Sequence, residues 1–172
     1  GIVFLSVSSY AADTGKSSSK KAAKKSTVVK EDSLEVEKKI IGRTERVRVI
    51  PGDFIFDARI DTGANTSSLG VDSFEIINED GQEWIEVVID GKKSKHEIVK
   101  YIHIKEHGEE AKKRPVIQVR LILGEVSESV NVTLADRSNF KYNLLVGRNF
   151  LHDRFIVDVS LRYTVEPMPY KE

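Results

Sequence analysis

In the run Phe54-Ile55-Phe56-Asp57-Ala58-Arg59-Ile60, every second residue is apolar, and the run then breaks into Asp61-Thr62-Gly63-Ala64. An apolar side chain at alternate positions is the period of a half-buried strand. Any fold that uses this strand must therefore set a carboxylate at its end, on a tight turn. Gly63 carries no Cβ, so backbone or ligand can approach the turn closely. The Thr62 hydroxyl is expected to be held inward, bonding backbone. Asn65-Thr66-Ser67-Ser68-Leu69 follows, small and polar before another apolar position. The same tripeptide occurs at Asp13-Thr14-Gly15. There Ala11-Ala12 precedes it and Lys16-Ser17-Ser18-Ser19 follows, so no strand holds it and it reads as a chance recurrence.

The rest of the chain repeats the strand pattern. Val47 and Val49 alternate with polar residues, and Pro51-Gly52-Asp53 marks a turn before Phe54. Trp84–Ile89 and Glu97–Ile104 flank Asp90-Gly91, a strong hairpin signal. Val116–Leu123, Ser129–Leu134 and Phe155–Val159 add further short strands, while helical periodicity is confined to one possible turn near Asn149–Asp153. The fold class is all-β, closed or nearly so. No internal repeat is evident. Residues 1–11 read as the remnant of a secretion signal, 12–36 as a disordered Lys/Ser-rich linker, 37–166 as the folded domain, and 167–172 as a C-terminal tail.

A second segment, Asn143-Leu144-Leu145-Val146-Gly147-Arg148-Asn149-Phe150-Leu151, pairs apolar residues with a Gly-Arg-Asn turn. With Asp61-Thr62-Gly63, with Arg114-Pro115-Val116 before a strand, and with Leu134-Ala135-Asp136-Arg137-Ser138, it resembles a bacterial family of retropepsin-like aspartic peptidases. That family was once labelled ATP-dependent zinc proteases. The resemblance covers roughly residues 37–166 and implies a retropepsin-like closed barrel with one half-site per chain. It implies Asp61 as the catalytic residue, with Thr62, Gly63, Ala64, Asn65, Gly147 and Arg148 supporting the active-site turn. Gly147 would pack closely behind that turn. Arg148 would brace the residue two places after Gly63, an Asp in many retropepsins and Asn65 here, so that an ion pair becomes a charge-assisted hydrogen bond.

Aspartic peptidases need two carboxylates that share one proton across a nucleophilic water. One Asp in a folded context supplies half of that pair, so the expected active form is a homodimer about a two-fold axis. A flap that closes over substrate is expected between Tyr101 and Val119, with its tip near His107-Gly108-Glu109. Its charge is unlike the apolar, glycine-rich flaps of viral retropepsins, and it reads equally as a solvated loop.

Two other functions compete. His103-Ile104-Lys105-Glu106-His107 matches the inverted zinc-peptidase pattern. That chemistry requires a helix to bring both imidazoles to one ion, whereas alternation around Ile102 and His103 reads as a strand. In a strand the two histidines would stand about 13 Å apart. His96 and His152 read as isolated surface residues. No Walker-type phosphate loop is present, and neither a metal nor any other cofactor is expected. The second competitor is a retropepsin-fold peptide-binding module without turnover.

Charge limits the partners. Of 27 Lys and Arg and 27 Asp and Glu, six Lys and one Asp fall within residues 1–30, which leaves the folded part mildly acidic and argues against nucleic acid. A peptide or protein substrate and a second copy of the chain are the expected partners. Cysteine is absent, which removes disulfide and thiol chemistry. Ile2-Val3-Phe4-Leu5 followed by Ser9-Tyr10-Ala11 resembles the end of a signal peptide, pointing to a periplasmic or secreted protein. No stretch is long enough for a stable membrane span.

Overall fold

The computed structural model describes residues 37–104, 112–137 and 139–171. Residues 1–36, read above as signal remnant and linker, lie outside the described residues. So do residues 105–111, with Glu106, His107 and the expected flap tip. The described chain runs β1 (Lys39–Gly42), β2 (Thr44–Ile50), β3 (Phe54–Ile60), β4 (Ser67–Gly70), β5 (Ser73–Glu79), β6 (Gln82–Ile89), β7 (Lys92–Glu97), β8 (Lys100–Ile104), β9 (Lys112–Leu123), β10 (Val126–Ala135), β11 (Leu144–Val146), the helical turn α1 (Arg148–Leu151) and β12 (Phe155–Asp158). Strand makes up 60% of the structure and helix 3%, so the all-β expectation holds.

Strands β10, β4, β11, β3, β2 and β9 pair in that order, and β9 pairs back onto β10, closing a six-stranded barrel. Closure removes the unpaired sheet edges that would otherwise invite association. β3 spans the residues its alternation predicted, with Phe54, Phe56, Ala58 and Ile60 buried and the residues between them exposed. Its inward side chains meet Val47 and Val49 of β2, Leu69 of β4, Leu121 of β9, Val132 of β10, and Leu144 and Val146 of β11 in one apolar core. The β2–β3 turn uses left-handed backbone at Gly52 (φ 103°) and Asp53 (φ 54°), as the Pro-Gly-Asp signal requires.

A three-stranded meander, β5-β6-β7, lies between β4 and β8 in sequence. Asp90 and Gly91 both take positive φ (46° and 71°), the signature of a tight hairpin turn. The turn is where the sequence put it, but its second arm is not. Glu97–Ile104 was expected to pair back onto β6. Instead Lys92–Glu97 does so, and Lys100–Ile104 is a separate strand on β9. The reason is chemical: Lys92–Glu97 has no apolar alternation to read. It is held by cross-strand contacts such as Lys93 to Glu86 (2.6 Å) and Lys95 over the Trp84 ring (5.0 Å).

The chain returns to the barrel at its C-terminal end. β12 pairs in parallel with β1, and the residues after it lie along β2. Glu45, fully buried, organises this return. Its carboxylate accepts hydrogen bonds from the backbone N–H of Gly42 (2.6 Å) and Thr164 (2.8 Å) and from the Thr164 hydroxyl (2.7 Å). A buried charge is tolerated only when donors converge on it like this.

Candidate active site

Asp61 follows β3 directly and is half-buried. Its backbone N–H donates to the Val146 carbonyl of β11 (2.9 Å), which carries the β3–β11 parallel ladder one residue past the strand. The Gly63 N–H donates to Asp61 Oδ1 (2.9 Å), and the Ala64 N–H closes the turn onto the Asp61 carbonyl (3.3 Å). The carboxylate is therefore aimed by its own turn. A Cβ on Gly63 would come within 3.2 Å of Asp61 Oδ1, crowding the oxygen that Gly63 orients. Thr62 is exposed and contributes to the lining of the cleft beside Asp61.

The Gly147-Arg148-Asn149 segment stands behind this turn. A Cβ on Gly147 would lie 2.9 Å from the Ala64 carbonyl oxygen and 2.9 Å from the Thr66 carbonyl carbon. Both obstacles are backbone, so only glycine fits. The Arg148 guanidinium donates through Nη1 to the carbonyls of Thr62 (2.7 Å) and Gly63 (2.9 Å), and through Nη2 to Asn65 Oδ1. The Arg148 backbone N–H donates to the Ala64 carbonyl (2.8 Å). One residue thus satisfies three carbonyls and one side chain of the turn.

A second brace was not anticipated. Asn149 Oδ1 accepts from both the backbone N–H and the hydroxyl of Ser67 (2.9 Å each), and the Ser67 hydroxyl accepts from the Gly147 N–H (3.0 Å). Asn149 Nδ2 donates onward to the Asn131 carbonyl of β10 (2.8 Å). Asn149 was visible in the Gly-Arg-Asn motif. Ser67 was one of several small polar residues, and nothing in its spacing separated it from Ser68.

Asp61 opens into a cleft of about 470 Å³ lined by Arg43, Thr44, Arg59, Ile60, Thr62, Tyr142 and Val159. Asp61 is the one acid among the described residues of that lining. The surroundings are cationic instead. Arg59 comes from the exposed face of β3, and Arg43 from the β1–β2 junction. Arg137 sits close enough to feel Arg114, Arg59 and Asp61; burial first, then the two arginines, lowers its pKa, and Asp61 opposes them. Arg137 Nε donates to the Tyr142 carbonyl (2.9 Å) and its guanidinium lies over Phe140 (4.7 Å). Arg114 and Arg137 fall within motifs that carry the family resemblance, but no role was given to either, nor to Arg43 and Arg59, because isolated arginines do not announce a site.

The zinc-type pattern meets a different geometry. His103 lies on β8, paired with Lys113 of β9, so the segment up to Ile104 is a strand and not the helix such a site needs. Glu106 and His107 fall outside the described residues. Among the described residues no cluster of three or more His, Cys, Asp or Glu is placed to hold a metal ion. β8 and the start of β9 form the two arms of a hairpin where a flap was expected, with its tip outside the described residues. His96 is half-buried, not a free surface residue, with Nε2 2.9 Å from the Ser94 hydroxyl.

Comparison with known proteins points the same way. A family model described as the retropepsin-like aspartic endopeptidase RimB matches residues 40–167. The crystal structure of a Legionella pneumophila protein of unknown function superposes with a TM-score of 0.63 at 28% identity, covering 74% of this chain and 98% of that one. Curated relatives include a probable alpha-L-glutamate ligase of Desulfotalea psychrophila, 29% identical over 142 residues. A protein of the same name from Shewanella halifaxensis is 30% identical over 111 residues. These alignments cover 76% and 60% of this chain but 30% and 24% of the ligases, so the chain spans less than a third of their length. With its closed barrel, its Asp61 turn and its Gly147-Arg148 brace inside the matched span, the chain belongs to the RimB-like family of retropepsin-like aspartic endopeptidases.

Proposed function

We propose that this protein is an aspartic endopeptidase that works as a homodimer, with a water held between Asp61 of one copy and Asp61 of the other. The observation that carries this reading is the Asp61 turn. One carboxylate is aimed by Gly63, clamped from behind by Arg148, and opens into a cleft with no second acid among the described residues that line it. A lone carboxylate has no partner with which to share a proton, and a two-fold copy supplies one. One Asp61 takes the proton of the water while the other, protonated, polarises the scissile carbonyl. The attacking water adds to that carbonyl, and the tetrahedral intermediate collapses as the amine leaves with a proton. Thr62, exposed on the rim, belongs to the surface a second copy would cover.

The substrates we infer are acidic peptides. Arg43 and Arg59 line the cleft and Arg137 stands near Asp61, so the potential around the scissile bond favours negative charge. The relatives named as probable alpha-L-glutamate ligases agree with a glutamate-containing substrate. A periplasmic or secreted location fits the first residues of the chain.

The test is cleavage of glutamate-rich and lysine-rich peptides by the wild type and by Asp61→Asn, with sedimentation run in parallel. Cleavage of the acidic peptide by a dimer, lost in Asp61→Asn, supports the reading. An Asp61→Asn protein that still cuts at the wild-type rate overturns it. Acidic peptides bound by both proteins but cut by neither favour the binding-module reading.

A further inference from the structure

Tyr142 stands on the cleft wall with no role in the scheme above. It is half-buried, and its backbone is fixed on both sides. Arg137 Nε donates to its carbonyl (2.9 Å), and the next carbonyl, of Asn143, accepts the Gly70 N–H (2.6 Å). Its phenol oxygen accepts from the hydroxyl of Thr44 (3.4 Å), another residue of the cleft and itself 3% exposed. Lys141 lies 5.4 Å from the ring centroid. The Thr44 hydrogen bond, and then the charges of Lys141 and Arg162, lower the phenol pKa against the opposing effect of burial. Among the described residues the Tyr142 hydroxyl donates no hydrogen bond, and its side chain lines the cleft.

A phenol that accepts from one side and donates to the other suits an anionic oxygen, and two guanidinium side chains share the same lining. We infer that Tyr142, with Arg43 and Arg59, forms a carboxylate subsite in which the Tyr142 hydroxyl donates to an acidic side chain of the substrate. Thr44 is the positioning residue: its hydroxyl fixes the phenol oxygen so that the remaining proton faces the cleft. Tyr142 thereby decides which side chain is seated beside the Asp61 turn. This rests on the acidic-peptide reading, and it makes a demand that reading does not. The arginines alone would attract any negative peptide, whereas a single aligned donor separates a carboxylate from an amide of the same shape.

The experiment measures binding, so it does not depend on turnover. A peptide carrying Glu, and its isosteric Gln counterpart, are titrated calorimetrically against Asp61→Asn and against Asp61→Asn with Tyr142→Phe. Tyr142→Phe should weaken the Glu peptide about tenfold, the size of one hydrogen bond to a charged group, and leave the Gln peptide within about twofold. Thr44→Val should weaken the Glu peptide by a smaller factor. In the otherwise wild-type enzyme the same loss should fall on KM, with kcat little changed. An unchanged melting temperature in Tyr142→Phe separates this from a structural role. Equal losses for both peptides would mean a main-chain contact and overturn the subsite. So would no loss at all, or failure of the parent protein to bind either peptide. If Asp61→Asn still cleaves, the peptidase assignment falls while the Glu-against-Gln comparison keeps its meaning.

Discussion

Arg148 grips Asn65 from behind the Asp61 turn, its Nη2 donating to Asn65 Oδ1 while Nη1 spans the carbonyls of Thr62 and Gly63. The two residues do unequal work in this relationship. Asn65 offers one acceptor, whereas Arg148 satisfies several. Arg148→Ala should therefore cost more stability than Asn65→Ala, about 1–3 kcal/mol against less than about 1, because it removes charge-assisted hydrogen bonds to two carbonyls besides the amide. A double-mutant cycle by denaturant unfolding should give a coupling energy clearly above zero. A coupling indistinguishable from zero would mean that the side-chain bond is idle. Asn65→Asp should keep the brace, turning a charge-assisted bond into an exposed ion pair with little net change.

Gly147→Ala is expected to be the most damaging single-methyl change near the site. The added Cβ would press on the Ala64 and Thr66 backbone, which cannot swing aside as a side chain could. Overpacking of this kind costs about 1–3 kcal/mol, and here it also displaces the Asp61 turn. Activity should fall further than the melting temperature alone explains. If the variant keeps full activity, the turn is less tightly fixed than the contacts imply.

Ser67→Ala tests the second brace. Ser67 is fully buried, and its hydroxyl both donates to Asn149 and accepts from Gly147. Removing it leaves a buried N–H without its acceptor, at a cost of about 1–3 kcal/mol. Ser67→Cys, close in shape but a weaker acceptor, should fall between wild type and Ala in thermal unfolding.

His96 sets a limit on how acidic the protein can be kept. Burial lowers its pKa from the usual 6.5, so the unfolded chain binds a proton at a pH where the folded chain does not. Between 6.5 and the lower folded value the unfolded state holds more protons, and stability falls as pH falls. The melting temperature should drop on acidification through this window, and His96→Gln should flatten that part of the profile. A profile identical to wild type would assign the acid sensitivity to other groups.

Chelation separates the two catalytic chemistries that the sequence offered. With His103 on a strand, cleavage should be indifferent to EDTA and to His103→Ala. Loss of activity in chelator, restored by zinc, would return the assignment to the metal.

What could be read in advance followed from period and punctuation. β3 was legible to the residue because its alternation is strict and its core partners are all apolar. The Gly147 approach was legible only through the family resemblance, since Leu-Leu-Val-Gly by itself reads as an ordinary strand ending in a turn. β7 was not, because charge pairing across a hairpin leaves no hydrophobic signature. β4 was missed because it is only four residues long and begins with two serines. Glu45 could not have been found at all. An acid between Thr44 and Arg46 looks like any solvated charge until Thr164, far along the chain, closes over it. The cleft arginines and Tyr142 were hidden for the same reason: their common site is made by topology and not by spacing.

The parallel pairing of β11 with β3 also bears on when the Asp61 turn can first take shape. Asp61 and the arginine that clamps its turn are separated by most of a domain's length, and the backbone bonds joining them form only when the barrel closes. A chain emerging from the ribosome therefore carries its acidic residue on an unsupported loop until nearly the last segment has been made. Long-range pairings of this kind are late events in folding. A half-made copy has no shaped cleft, and the Asp61 turn acquires its backing only once the residues around Gly147 and Arg148 have been joined to the chain.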